Sequence, residues 1–289
     1  MTVIAVVLNW NNEPDTVECL ESLVADGLPL AQVVLVDNAS ADGSGDRLHA
    51  RFPDARYVQT EANLGYAGGN NAGVREALAR GADWVLVLNN DTVVEPGMLR
   101  ALVAAGESQP RAAAIAPKIV RFDEPTILWF DGGFFSRMRA LGGHRGEGTR
   151  DRVPDLRSAE RVSCLTGCCL LLRASVITPM TELFRSDFFL YAEDTELCVR
   201  LDRTGWELWY VPTARLRHKV PPYGAAPSAR HIQLRDRNRR RLVRSHYGVL
   251  DRIRFRLWYY PTRVMLGIGY LVRGDLPRAQ AILKGALER

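Results

Sequence analysis

Apolar runs and helical periods take turns along the first part of the chain. TVIAVVL (2–8) reads as a strand, and Pro14 then opens a helix with Val17, Leu20, Leu23 and Val24 on one face. The order repeats with QVVLVD (32–37), a helix near 42–51, ARYVQT (55–60), a helix near 69–80, and WVLVL (84–88). Such alternation predicts βαβ units and an α/β fold with a mainly parallel sheet flanked by helices. Each strand ends on polar residues: Asn9 and Asn11, then Asp37, Asn38 and Ser40, then Asn63, then Asn89, Asn90 and Asp91. Ligands of open α/β sheets gather beyond the carboxyl ends of the strands, so four polar ends on one edge point to a binding site. Taken alone, LNNDT fits equally well an Asx turn leading to the helix that Pro96 starts.

Past residue 110 the alternation loosens. DGGFFSRMRALGGHRGEGTRDR (131–152) predicts a mobile loop or short hairpin. RVSCLTGCCLLLR gives a strand, FFLYAEDTELCVRLDRTG a short strand and an acidic helix start, and WELWYVP and ARLRH two further strands. From about residue 228 the pattern is helical to the end, with Pro261 and Gly274 as breaks.

Composition sets the scale. The 289 residues are 47% hydrophobic, enough for one large α/β domain and a helical appendage. The expected division is 1–225, with a nucleotide half of about 1–110 and an acceptor half of about 111–225, followed by a basic amphipathic extension at 226–289. Net charge is +5, concentrated in RDRNRRRLVR (235–244) and DRIRFRLWYY (251–260), where aromatics interleave with arginine. That pattern suits anionic lipid head groups, phosphorylated substrates or nucleic acid. Five cysteines without a CxxC pair, and no secretory leader, predict reduced thiols in a cytosolic protein. VMLGIGYLV (264–272) is too short to span a bilayer, so membrane contact is expected to be peripheral.

Seven segments now line up: VVLNWNN (6–12), VDNASADGS (36–44), NLGYAGGNNAG (63–73), LNNDTVVEPG (88–97), TGCCLLLR (166–173), FFLYAEDTELCVRL (188–201) and VPTARLRH (211–218). In this order they resemble the inverting family 2 glycosyltransferases of the GT-A fold, in particular their bacterial rhamnosyltransferase-like branch, over residue 3 to roughly 245. The resemblance implies transfer of a sugar, rhamnose among the candidates, from a dTDP- or UDP-sugar donor to a saccharide or lipid-linked acceptor, in cell-surface polysaccharide or glycolipid synthesis. It implies that Asp37 contacts the base or ribose with Leu8, Asn9 and Asn11 nearby. Asn63 and Asn71 would flank nucleotide and sugar, with Gly65, Gly68 and Gly69 allowing close backbone approach.

In the family LNNDT corresponds to a DXD-like element. Asn89 stands in place of its first Asp, followed by Asn90, and Asp91 would bind Mg2+ or Mn2+ bridging the donor diphosphate. His218 would reach the same metal, whereas His49, His144, His231 and His246 carry no such assignment. Asp194 is implied as the base that takes the acceptor hydroxyl proton, with Glu193 beside it shaping the acceptor pocket or competing for the role. Glu193, Asp194 and Glu196 would also favour a helix N-terminus without any chemistry. Relatives often carry Gly-x-Phe-Asp-Glu before FF-x-Y-x-ED; this chain has MTELFRSDFFLYAED, so sugar identity does not carry over.

Rival classes lack their motifs. A nucleotidyltransferase needs a basic glycine-rich loop after the first strand and a dehydrogenase needs GxGxxG there, and LNWNNEPD is neither. A natural-product transferase with a soluble acceptor, or an inactive nucleotide-sugar-binding protein, is the alternative; Asp91 and Asp194 together argue against the latter. The arginine-rich helix is read as facing acidic lipid at the inner face of the cell membrane, or a lipid-diphosphate acceptor, and not nucleic acid. A homodimer is left open.

Overall fold

The computed structural model describes residues 1–155, 157–221 and 224–288. The first half follows the predicted alternation: β1 (Val3–Asn9), α1 (Glu13–Ala25), β2 (Val33–Asp37), α2 (Ser44–Arg51), β3 (Arg56–Gln59), α3 (Gly65–Ala79) and β4 (Trp84–Asn89). β5 (Thr92–Val94), α4 (Met98–Ser108), β6 (Ala112–Arg121) and β7 (Leu128–Phe130) follow, then the hairpin β8 (Gly133–Ser136) and β9 (Leu141–His144). β10 (Glu160–Val162), β11 (Cys169–Arg173), α5 (Ala174–Ile177), α6 (Glu193–Arg203) and β12 (Glu207–His218) complete the sheet. Three helices end the chain: α7 (Ala229–His246), α8 (Val249–Val272) and α9 (Leu276–Leu287).

The main path through the sheet runs β10-β12-β6-β11-β4-β1-β2-β3, with β5 on β12 and β7 on β6. β3, β2, β1 and β4 are mutually parallel, while β11 runs antiparallel between β4 and β6. The sheet is therefore mixed, as expected of an α/β fold whose second half departs from βαβ winding. Its central strands are buried along nearly their whole length, which is why they read as unbroken apolar runs.

Four local expectations change. α3 begins at Gly65, ahead of the predicted 69, and its glycines serve packing: a Cβ on Gly69 would lie 2.6 Å from Leu8 and one on Gly73 2.3 Å from Val6. At Gly68 and Gly69 the atoms that a Cβ would meet belong to the neighbouring side chains of Leu64 and Leu8. WELWYVP and ARLRH form one strand, because a register shift against β6 between Val211 and Arg215 absorbs Pro212. FFLYAED contains no strand: a 3₁₀ turn at Ser186–Phe188 is followed by left-handed backbone at Phe189, Tyr191 and Ala192. α8 continues through Pro261, held on either side of it by Tyr259 and Arg263, both bonded to Asp236 of α7.

Candidate active site

Parallel register brings the polar strand ends together. Asn9 lies opposite Asp37, and Leu8 opposite Asn89, so β1 is flanked by β2 on one side and β4 on the other. Strand order reverses there, which opens a crevice beyond the sheet edge. A cavity of about 470 Å3 occupies it. Of the residues expected at a nucleotide site, Leu8, Asn63, Gly65, Asn89, Asn90 and Asp91 line this cavity.

Asn9, Asn11, Asp37 and Asn71 stand behind or beside it, with their polar atoms engaged by the protein. Asn9 Nδ2 donates to Asp37 Oδ1 at 2.9 Å and to Ser44 Oγ at 3.0 Å, while its Oδ1 accepts from Thr16 Oγ1 at 3.0 Å. Asp37 also accepts from the Ser40 hydroxyl at 2.6 Å and backbone N–H at 3.1 Å. Asn11 Oδ1 accepts from the Ala41 and Asp42 amides. Asn71, deep in α3, donates to the Phe184 carbonyl at 2.6 Å and accepts from the Phe184 N–H at 2.9 Å. In this structure these four side chains brace the loops. The cavity face expected of them is instead given by Trp10, Asn12 and Asn38, with Tyr66 and Arg230 further along the wall.

Asp91 is the sole carboxylate among the residues lining this cavity. Its Oδ1 lies 3.1 Å from His218 Nε2, because β12 pairs antiparallel with β5 and sets His218 opposite Thr92. His218 is buried against the edge of Trp129, and its Nδ1 has no hydrogen-bond partner. An imidazole and a carboxylate meeting this way fit a hard divalent cation that takes its remaining ligands from diphosphate oxygens and water. Among the described residues no group of three His, Cys, Asp or Glu side chains converges, so the chain builds no closed metal cage.

A second, smaller cavity of about 140 Å3 lies beside the first and contains Asp194. The carboxylate is oriented by backbone: Gly167 N–H donates to Oδ2 at 2.9 Å and Thr195 N–H to Oδ1 at 2.6 Å. The Gly167 carbonyl in turn accepts from the Tyr66 hydroxyl at 2.6 Å, so one peptide segment links the two cavities. A Cβ on Gly167 would sit 2.9 Å from that hydroxyl, which explains the glycine. Burial pushes the Cys168 thiol well above its ordinary range, and the charges of both Asp91 and Asp194 push it further. Both carboxylates are therefore close to the start of β11.

Glu193 differs from its neighbour. It is buried, its Oε2 has no partner, and burial together with the Asp194 charge pushes its carboxyl up to about 8. Burial thus favours the neutral form of Glu193 near pH 7.

The turn that presents both acids is strained: Phe189, Tyr191 and Ala192 have φ of 62°, 71° and 67°. Non-glycine residues hold such backbone only when their surroundings over-determine it. The restraint comes from α7, where Asn238 Nδ2 contacts the carbonyls of Phe188, Leu190 and Tyr191 at 2.8, 2.9 and 2.7 Å. Gly65 completes the seat, since a Cβ there would lie 2.4 Å from the Phe189 carbonyl.

Sequence reasoning passed over several of these residues. His144 and His231, left without a role, both line the Asp194 cavity. His144 shares Trp129 with His218, and burial lowers its basicity; Nδ1 lies 3.1 Å from the Trp129 carbonyl, which makes it the protonated nitrogen. Trp10, 53% exposed at the mouth of the larger cavity, could have been suspected as an aromatic immediately after a strand end. Asn238 gave no signal, being one polar residue within an arginine run.

The model of "Glycosyl transferase family 2" matches residues 4–178. An N-acetylglucosaminyl-diphospho-decaprenol L-rhamnosyltransferase of Mycobacterium tuberculosis is 33% identical over 216 residues, spanning 68% of this chain and 69% of that protein. Galactofuranosyltransferase GlfT1 of the same species is 29% identical over 213 residues, or 71% and 66% of the two chains. Among solved structures, GalNAc-T7 with UDP, GalNAc and Mn2+ superposes with a TM-score of 0.65 at 14% identity, covering 84% of this chain and 48% of that one. The mannosyltransferase PcManGT from Pyrobaculum calidifontis, in complex with GDP-Man and Mn2+, gives 0.57 at 15% identity over 99% and 86%. At that identity the structures establish the GT-A fold alone.

Proposed function

This chain belongs to glycosyl transferase family 2, and we propose that it moves a sugar from a nucleoside diphosphate donor to an acceptor hydroxyl with inversion at the anomeric carbon. Rhamnose from a dTDP-linked donor is the first candidate, since a rhamnosyltransferase is 33% identical. The observation that carries the reading is the pair of carboxylates, Asp91 and Asp194, in adjoining cavities joined through Gly167 and Tyr66.

In this mechanism the larger cavity takes the donor, with Trp10 available to stack on the base and the diphosphate directed to Asp91. Mg2+ or Mn2+ held by Asp91 and His218 would supply Lewis acidity at the departing phosphate. Asp194 removes the acceptor hydroxyl proton as that oxygen bonds to the anomeric carbon. The bond to the diphosphate breaks, and the nucleoside diphosphate leaves with the electron pair. The Gly167 and Thr195 amides fix the direction of the Asp194 carboxylate. Glu193, neutral and behind it, shapes the pocket.

The acceptor in this reading is borne by lipid. Fourteen of the twenty-one exposed large apolar side chains among the described residues fall between Val249 and Leu287, on α8 and α9. They include Leu257, Val264, Met265, Ile268 and Leu271, and exposed Arg254 and Arg256 stand among them. An apolar face edged by arginine fits an anionic bilayer surface. No described helix is long and apolar enough to cross a membrane. We place the boundary of the transferase near residue 225 by chain course, although α7 beyond it completes the site.

The test is a donor panel with Mg2+ or Mn2+: dTDP-rhamnose against common UDP- and GDP-sugars, scored by nucleotide release. Release only with dTDP-rhamnose and metal is the expected result. Release that ignores the metal, or none with any donor, overturns the reading.

A further inference from the structure

The mechanism above leaves His144, on the wall of the smaller cavity with Asp194, without a task. His144 ends β9, and its half-buried ring packs edge-on against Trp129 and Phe130 at centroid distances of 4.4 and 5.1 Å. With Nδ1 carrying the proton toward the Trp129 carbonyl at 3.1 Å, the other nitrogen, Nε2, bears a lone pair. Nε2 has no hydrogen bond among the described residues, and it is not sealed in as Nδ1 of His218 is. Burial lowers the basicity of this imidazole and so keeps that lone pair free of a proton.

Strand geometry relates His144 to the base. Gly142 and His144 are two apart in β9 and so share a face. A Cβ on Gly142 would lie 2.9 Å from Thr195 Oγ1, and that hydroxyl donates to Asp194 Oδ1 at 3.3 Å. Two residues advance a strand by about 6.6 Å, so the His144 ring stands one such step along the wall from the Asp194 carboxylate. A single hydroxyl cannot bridge that gap, whereas two hydroxyls on adjoining carbons can. Chemistry agrees with the spacing. As the base, Asp194 must accept a hydrogen, and an unprotonated Nε2 can only accept; the other polar side chains of the wall, Tyr191, Thr195, His231 and Arg235, can each donate.

Resting on the transferase reading, we propose that His144 is an acceptor-binding residue, whose Nε2 accepts a hydrogen bond from a second hydroxyl next to the one that Asp194 deprotonates. The acceptor class is then a vicinal diol on a sugar or other polyol ring, held by both oxygens. A ring that lacks the neighbouring hydroxyl, or carries it methylated, would meet Asp194 alone and turn freely in the cavity.

The experiment is a titration followed by saturation-transfer NMR on the full chain without donor. The compact probes are trans-cyclohexane-1,2-diol, trans-2-methoxycyclohexanol and cyclohexanol. The wild type should bind the diol about fivefold more tightly than either of the others, the effect of one hydrogen bond. His144→Phe, which keeps a ring and removes the lone pair, should bind all three alike. His144→Gln, whose amide oxygen can accept in the same direction, should keep part of the preference. Three results overturn the proposal: a methoxy ether bound as well as the diol, no binding of the diol to the wild type, or an undiminished preference in His144→Phe folded by circular dichroism. Because the readout is binding without a donor, a failed donor panel would leave this result standing, and the reverse.

Discussion

The two carboxylate cavities are assembled in opposite ways. The Asp91 cavity grows from the ends of neighbouring parallel strands, so residues close in the βαβ alternation become close in space. The Asp194 cavity gathers the β8–β9 hairpin, Cys164 and Leu165 between β10 and β11, a left-handed turn and the first turns of α7, segments spread from residue 130 to residue 235. One site follows from regular backbone geometry; the other exists only when distant pieces pack. The difference teaches where to look for dependence on the C-terminal helices: it should be stronger on the acceptor side, since α7 gives the Asp91 cavity only Arg230 but gives the other both His231 and Arg235.

Exchanging the two acids is the strongest way to break that contrast. Asp194→Asn should lower turnover by about three orders of magnitude while donor affinity, measured by calorimetry with Mn2+, stays within a factor of about two. Asp91→Ala should do the reverse, weakening metal-dependent donor binding by roughly a hundredfold. If both variants lose donor binding equally, the cavities are one site and the comparison falls.

A smaller effect should follow from Asn238, which touches no expected substrate. Asn238→Leu takes the amide donor from the Leu190 and Tyr191 carbonyls, while Phe188 keeps Arg237, and should destabilise the fold by about 2 kcal/mol, seen in urea denaturation. Turnover should fall about tenfold with donor affinity unchanged, because the turn that aims Asp194 relaxes. Loss of donor affinity instead would show that α7 serves both cavities alike.

The smallest effect is on pH dependence. Glu193 is raised to about 8 in the folded chain from an ordinary 4.5, so the protonated form favours folding. Its contribution is fully present below about 4.5 and is lost as pH rises through about 8. Wild-type melting temperature should therefore decline by a few degrees between pH 6 and 9 relative to Glu193→Gln, whose amide does not titrate. Parallel profiles for the two proteins would mean that Glu193 is ionised and competes with Asp194.

Much of the Asp91 side was readable in the sequence. Apolar runs stopping on Asn and Asp placed Asn63, Asn89, Asn90 and Asp91 at one sheet edge before any coordinates, because strand direction fixes where each run ends. The roles within that edge were less readable. Asn9, Asp37 and Asn71 look like ligand contacts by type, yet their hydrogen bonds go to other protein groups, and type alone does not tell a solvated amide from a saturated one. FFLYAED misled for a related reason: its aromatic residues favour a strand, while long-range carbonyl contacts to Asn238 hold them in a left-handed turn.

What the sequence determined by itself was everything that depends on local period and chain direction: the α/β class, the order of the first four strands, and the carboxylate at the end of β4. Tertiary structure alone decided which face each polar group presents and what answers it. It joined the two cavities through Gly167 and turned the His218–Asp91 pairing, which the sequence offered only through the family resemblance, into a 3.1 Å contact across 127 residues. The physical reason is that backbone preference acts over a few residues, whereas desolvation and hydrogen-bond satisfaction are settled by whichever groups packing brings together.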